Sequence, residues 1–161
     1  MSSFGKKSVV SNKRAAPGTF LKPKDLVFST TGELYVLDYG NKRIQVFDEQ
    51  GQYLREIGGS IDDVRFVNPI DIAMDEKDYL YVADRGRHAV IILDQKGKEV
   101  LSFGSNGKGP SYFPRLTSID SSSGKIYVSD YFIDEVRVYN FLPANPYAAV
   151  LGETAMAGKE L

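Results

Sequence analysis

At 161 residues, 42% apolar and 25% charged, the chain has the size and balance of one ordinary globular domain, which excludes a disordered chain. A formal net charge of -1 leaves no overall pull toward nucleic acid or an anionic membrane, so any electrostatic role rests on how the charges are distributed. The absence of cysteine removes disulfides, thiolate nucleophiles, cysteine-held clusters and cysteine zinc sites.

Residues 1–19 form a basic N-terminal segment with Lys6, Lys7, Lys13 and Arg14, and no apolar stretch of signal-peptide length follows them before Leu21. The longest apolar runs, such as Ala89-Val90-Ile91-Ile92-Leu93, fall far short of the roughly 20 residues of a membrane-spanning helix, so no membrane insertion is expected. The compartment stays open. Ser3-Phe4-Gly5 resembles Ser102-Phe103-Gly104, which closes a later unit, and predicts that the chain opens on the last strand of a preceding one.

From Phe20 onward the sequence repeats. Tyr35-Val36-Leu37-Asp38 returns as Tyr81-Val82-Ala83-Asp84 and as Tyr127-Val128-Ser129-Asp130, 46 residues apart at each step. Phe20 and Pro23 return as Phe66 and Pro69, then as Phe113 with the proline displaced to Pro114. Val46-Phe47-Asp48 returns as Ile92-Leu93-Asp94 and Val138-Tyr139-Asn140, Gly51 as Gly97, and Ile57-Gly58 as Phe103-Gly104. The third unit ends less regularly, with Tyr147 to Gly152 matching Tyr53 to Gly58 after a Pro-rich insertion at Pro143 to Pro146. The units are 20–58, 66–104 and 113–152, followed by a tail, 153–161.

In the middle unit, β-rich segments are predicted at Pro69–Met74, Tyr79–Ala83, Ala89–Leu93 and Glu99–Phe103. Turn residues separate them at Asp75–Asp78, Arg85-Gly86-Arg87-His88 and Gln95-Lys96-Gly97. Each unit is therefore a four-stranded antiparallel meander, and no segment of helical length interrupts the pattern. A lone sheet of this size leaves an apolar face in water; stacking sheets around an axis removes it. A sandwich or barrel of twelve strands is the alternative, and the strict period favours radial repetition.

The string Phe66-Val67-Asn68-Pro69-Ile70-Asp71-Ile72-Ala73, with Tyr81 to His88 and Leu93 to Gly97, resembles the NHL repeat, and Tyr35 to Asp48 matches it best. The resemblance covers about residues 20–152; the third unit departs from it at Tyr131-Phe132-Ile133-Asp134-Glu135. It implies an all-β fold of NHL-type propeller blades, three per chain. Propellers of that family are typically six-bladed, so the chain is expected to be a half or partial ring, either part of a longer propeller or completed by a second copy. Members of the family include protein scaffolds and binders of single-stranded RNA. The related peptidyl-hydroxyglycine lyases hold zinc with several histidines, which this chain cannot supply alone.

Hydrolytic and metal mechanisms need clustered ligands or a base beside a nucleophile. His88 is the only histidine and lies in a turn next to Arg85 and Arg87, so a Ser-His-Asp site would have to use this one imidazole, and a structural or surface role is expected. Asp38, Asp84 and Asp130 suggest a carboxylate ring for calcium, but their recurrence in every unit points to carboxylates that accept backbone N–H bonds in the following turn. Tyr35, Tyr81 and Tyr127 recur likewise and are expected to pack between sheets. No catalytic residue, cofactor or metal ligand is assigned.

Turn residues that differ between units are the better binding candidates. The turns after strands two and four share one face of a meander ring. It gathers Lys42, Arg43, Arg65, Arg85, Arg87, Lys108 and Arg115 against Asp62, Asp63, Asp134 and Glu135, a net +3. The opposite face gathers Glu33, Asp48, Glu49, Asp75, Glu76, Asp78, Asp94 and Asp120 against Lys77, Lys96, Lys98 and Lys125, a net -4. With Tyr39, His88, Tyr112, Tyr131 and Phe132, the basic face is the expected contact surface for a protein partner, with single-stranded RNA as the alternative. An enzyme assembled only in a complete ring is the third reading.

Overall fold

The computed structural model describes residues 3–8, 15–59, 64–107, 111–141 and 152–153. After the short strands β1 (Lys6–Lys7) and β2 (Thr19–Phe20), the first blade consists of β3 (Pro23–Phe28), β4 (Leu34–Asp38), β5 (Arg43–Phe47) and β6 (Tyr53–Gly58). The second holds β7 (Pro69–Met74), β8 (Leu80–Asp84), β9 (Ala89–Leu93) and β10 (Glu99–Phe103). The third holds β11 (Leu116–Ser122), β12 (Lys125–Asp130), β13 (Glu135–Asn140) and β14 (Gly152–Glu153). Each blade is a four-stranded antiparallel sheet in sequence order. Three middle-blade segments fall where the sequence places them, and the remaining one, β8, lies a single residue later than Tyr79–Ala83.

The unit boundaries 20–58, 66–104 and 113–152 correspond to these sheets in order. In the third, β14 pairs Gly152 with Tyr139 and Glu153 with Val138, and the expected strand from Tyr147 to 151, like the insertion at Pro143 to Pro146, lies outside the described residues.

Burial follows from stacking. Blade two is covered on both faces, so β8 and β9 are buried at every position and read as apolar runs rather than alternating ones. In blade three burial alternates along β12: Ile126, Val128 and Asp130 are buried, while Lys125 and Tyr127 are exposed. One core joins Tyr35, Leu37, Ile44 and Val46 of blade one to Ile72, Leu80, Val82, Ile91 and Leu93 of blade two. A second joins Ala73, Tyr81, Val90, Ile92 and Phe103 to Phe113, Leu116, Ile119, Ile126, Val128 and Tyr139. The first strands of successive blades neighbour one another, which makes them the innermost strands.

A β-bulge recurs in each first strand, between Pro23 and Asp25, Pro69 and Asp71, and Leu116 and Ser118. It turns the acid toward the next blade: Asp25 accepts from the Ile72 N–H at 2.9 Å, and Asp71 from the Ile119 N–H at 2.8 Å. Leu116 stands opposite Asp130, where Pro23 and Pro69 stand opposite Asp38 and Asp84, so the displaced Pro114 precedes its strand.

The junctions between blades use a glycine against a phenylalanine. Gly58 has φ +79, and a Cβ there would lie 2.6 Å from the Phe66 ring; Gly104 and Phe113 repeat the arrangement. Gly5 and Phe20 make the same contact, and Phe4 lies on Gly51 as Ile57 lies on Gly97. Residues 4–5 thus take the place beside blade one that the end of blade one takes beside blade two.

Among the described residues, blade one also has an ion-pair cluster with no counterpart in the others. Arg43, 2% exposed, uses all five of its N–H groups: on Asp38, on Glu56 and on the carbonyls of Ala15, Ala16 and Thr19. Gln45 bridges Asp38 and the backbone of Gly18 and Thr19. Arg43→Ala strands two buried carboxylates and is expected to lower unfolding stability by about 3–5 kcal/mol in urea titration. Arg55→Ala, which breaks the half-exposed pair with Glu33, is expected to change it by about 1 kcal/mol or less.

Candidate functional site

Each second strand ends on a buried aspartate that ties the incoming connector to the following turn. Asp38 accepts from the Leu21 N–H and from the side chains of Asn41, Arg43 and Gln45. Asp84 accepts from the N–H groups of Val67, Asn68, Gly86 and Arg87, and Asp130 from those of Arg115 and Phe132. Tyr35 and Tyr81 are buried with hydroxyls on Glu33 and Asp75, whereas Tyr127 is 36% exposed. Among the described residues, no three of His, Asp and Glu come together in a metal-holding cluster.

The cations of the turns after the second strands differ in availability. Arg43 is buried and fully engaged, so it offers a ligand nothing; the sequence could not separate it from its exposed neighbours because its partners come from 15–19 and β6. Arg87 is bidentate to Glu99, with both bonds at 3.0 Å. Arg85 gives its Nε–H to the Leu116 carbonyl, binding blade two to blade three. His88 sets Nδ1 2.9 Å from the Phe113 carbonyl, which requires the proton on that nitrogen and leaves Nε2 as the acceptor of the neutral ring. Lys42 and Arg65 are exposed, and Tyr39 lies half-buried under the Lys24 ammonium, 5.4 Å from its ring centre. Lys108, Asp62 and Asp63 lie outside the described residues.

The third blade's turn is different in kind. Tyr131 and Phe132 are 67% and 68% exposed, with the Arg115 guanidinium 4.9 Å from the Tyr131 ring centre. Blades one and two carry Tyr39-Gly40 and Arg85-Gly86 at these positions, and a Cβ on either glycine would strike Leu21 or Val67. Exposed rings are thus no requirement of the repeat.

Near the axis the structure adds residues that sequence reasoning passed over: Lys24, Asp25 and Asp71. Their signal is the position after the repeat's opening proline, at the start of each innermost strand. The Lys24 ammonium is held below its ordinary value by partial burial first and Arg85 second, with Asp71 and Asp25 opposing. The Asp71 carboxyl is pushed up from 3.8 to about 6 by burial first and then by its hydrogen bond with Asp25, against hydrogen bonds from Ser118 and the Ile119 N–H.

On the opposite face, much of the acidic count is structural. Asp48, Asp75 and Asp94 each accept two N–H bonds from their own turns, at Gln50 and Gln52, Lys77 and Tyr79, and Lys96 and Lys98. Asp78 reaches across to Thr30 of the neighbouring blade.

Comparison with known proteins follows this geometry. The family model described as the NHL repeat matches residues 20–47, from β2 through β5. Among solved structures, the WD40 repeats of RRP9 superpose with a TM-score of 0.63 at 14% identity, covering 86% of this chain and 40% of that one. Virginiamycin B lyase from Staphylococcus aureus gives 0.59 at 12%, covering 86% and 42%, and the dihydro-heme d1 dehydrogenase NirN gives 0.59 at 13%, covering 81% and 27%. No curated protein matches the chain. It therefore spans about two fifths or less of the length of these structures, and identities this low carry the fold alone. The chain carries an NHL repeat, and its sheets are β-propeller blades. No helix among the described residues is long and apolar enough to cross a membrane.

The Asp71 shift fixes a sign. Between about pH 4 and 6 the unfolded chain loses this proton while the folded chain keeps it, so the folded state loses stability as pH rises through that window. Asp71→Asn removes this contribution: denaturant titrations from pH 4 to 7 should show wild-type stability falling relative to the variant, and parallel curves would refute the assignment.

Proposed function

We propose that the chain is a non-catalytic propeller module that binds a protein partner through the face of the turns after the second and fourth strands. The observation that supports this reading is the exposed Tyr131-Phe132 pair with Arg115 against it. Aromatic and arginine side chains dominate the energetics of protein contacts, because rings bury large areas with few rotatable bonds and the planar guanidinium offers several donors at once. Lys42 and Arg65 are exposed on the same face, which suits a partner with acidic side chains around an apolar centre. The non-catalytic part rests on the engagement of the candidate chemistry: His88 is tied to a carbonyl, and the recurring aspartates hold backbone amides. The lyase and the dehydrogenase among the similar structures share the fold with this chain, and their activities are not carried over.

Single-stranded RNA is the competing occupant, since rings and cations on one face also suit bases and phosphates. The two occupants separate by salt: oligonucleotide affinity falls steeply with ionic strength, in proportion to the phosphates neutralised.

The Tyr131→Ser, Phe132→Ser double variant is expected to weaken partner binding by about tenfold or more, with the unfolding midpoint unchanged. Calorimetry or biolayer measurement against a partner recovered with the wild-type chain reads both arms. Unaltered affinity would move the contact off this face, and tight salt-sensitive binding to single strands would replace the protein reading with RNA.

A further inference from the structure

The first blade leaves part of one face uncovered. Leu26 and Phe28 are 57% and 59% exposed. Ile72 and Met74, which take their places opposite the second strand of blade two, lie in the core between blades one and two. Beside Phe28 a groove of about 320 Å³ is lined by Phe4, Phe28, Leu34 and the turn Asp48–Gly51. At both internal interfaces the corresponding ground faces a tyrosine of the preceding blade. Tyr35 shares a core with Met74 and Leu80, and Tyr81 shares one with Ile126 and Phe141, whose ring centre is 6.0 Å away.

The third blade presents the same knob without a seat. Tyr127 pairs with Val138 as Tyr81 pairs with Ile92 and Tyr35 with Val46, and it stands exposed. Val136, in the place of Ile44 and Val90, is 46% exposed where those two are fully buried. Repeats that end an array carry polar outer faces. Here both outer faces carry interface residues.

Backbone bonding at the seam fits as well. Ile72 and Ile119 give their N–H groups to an acid of the preceding blade. Leu26, at the same position, gives its own to Asp25 of its own blade at 2.8 Å. The third blade has Ser118 where blades one and two have Asp25 and Asp71. A first blade that needs no outside acid matches a third blade that offers none. Asp120 and Ser129 make the third face more polar than the internal ones, as suits a contact between separate chains.

We propose that the open face of blade one docks blade three of a second copy of this chain, with Tyr127 of one copy seated in the groove of Phe4, Phe28 and Leu34 of the other. The two surfaces differ, so one such contact leaves one of each open; a two-fold pair joins those as well and closes.

The chain has no cysteine, so a designed pair reports the seam without background. Sedimentation of the wild type is expected to give the mass of two chains. Tyr127→Asp, and independently Leu26→Lys on the other surface, should each weaken self-association by about tenfold or more while retaining the β-sheet circular dichroism. Mixed Tyr127→Cys and Phe28→Cys chains should form a disulfide-linked heterodimer under mild oxidation, which neither alone forms. A wild-type mass of one chain at tens of micromolar, or an oligomer that this pair does not cross-link, overturns the proposal. The Tyr131→Ser, Phe132→Ser variant should keep the two-chain mass, so failure at the partner-binding face and failure at this seam are read separately.

Discussion

The buried carboxylate at the end of each second strand holds every blade to the chain that enters it. The four strands of each meander order themselves through their ladders, but a connector has no ladder partner and its amides must still be satisfied. Asp84 meets four of them at once, two in the connector and two in the following turn. A carboxylate accepts several N–H bonds without needing donors of its own, and in a site sealed from water each such bond is strong. Within each unit the aspartate, the connector 15 to 17 residues before it and the turn after it must therefore arrive together.

Above that framework, blades are joined by a second acid, displaced by the bulge in the innermost strand. Asp25 and Asp71 hand the same type of bond from blade to blade, and burial first, with the hydrogen bond to Asp25 second, raises the Asp71 pKa. The outer part of each junction is closed by a glycine and a phenylalanine instead. Polar contacts lie toward the axis, and apolar packing fills the sheet faces between.

Other side chains are left unused by this framework. The third blade resembles the others in strand order, bulge and buried aspartate, yet its turn carries two exposed rings where theirs carry Tyr39-Gly40 and Arg85-Gly86. A repeat that tolerates such a change at one turn, with Arg115 stacked on the result, marks that turn as free to meet something else. The opposite face shows the reverse: Asp48, Asp75 and Asp94 look available in the sequence and are taken up by their own turns.

The sequence by itself determined the three units and the four strands in each, because turn chemistry is local and the repeat restates it three times. It also determined that Asp38, Asp84 and Asp130 are equivalent, since position in the unit is enough. Only the tertiary structure decided which charges remain available. Arg43 and Arg115 read alike as basic turn residues; one is buried by a connector 24 or more residues away and the other is stacked in the open. The interblade acids were hidden for the same reason. Asp25 and Asp71 lie 46 residues apart in the chain, and nothing local signals that stacking brings each against the next blade's backbone. Burial of a charge depends on what packs over it, and that depends on contacts distant in sequence.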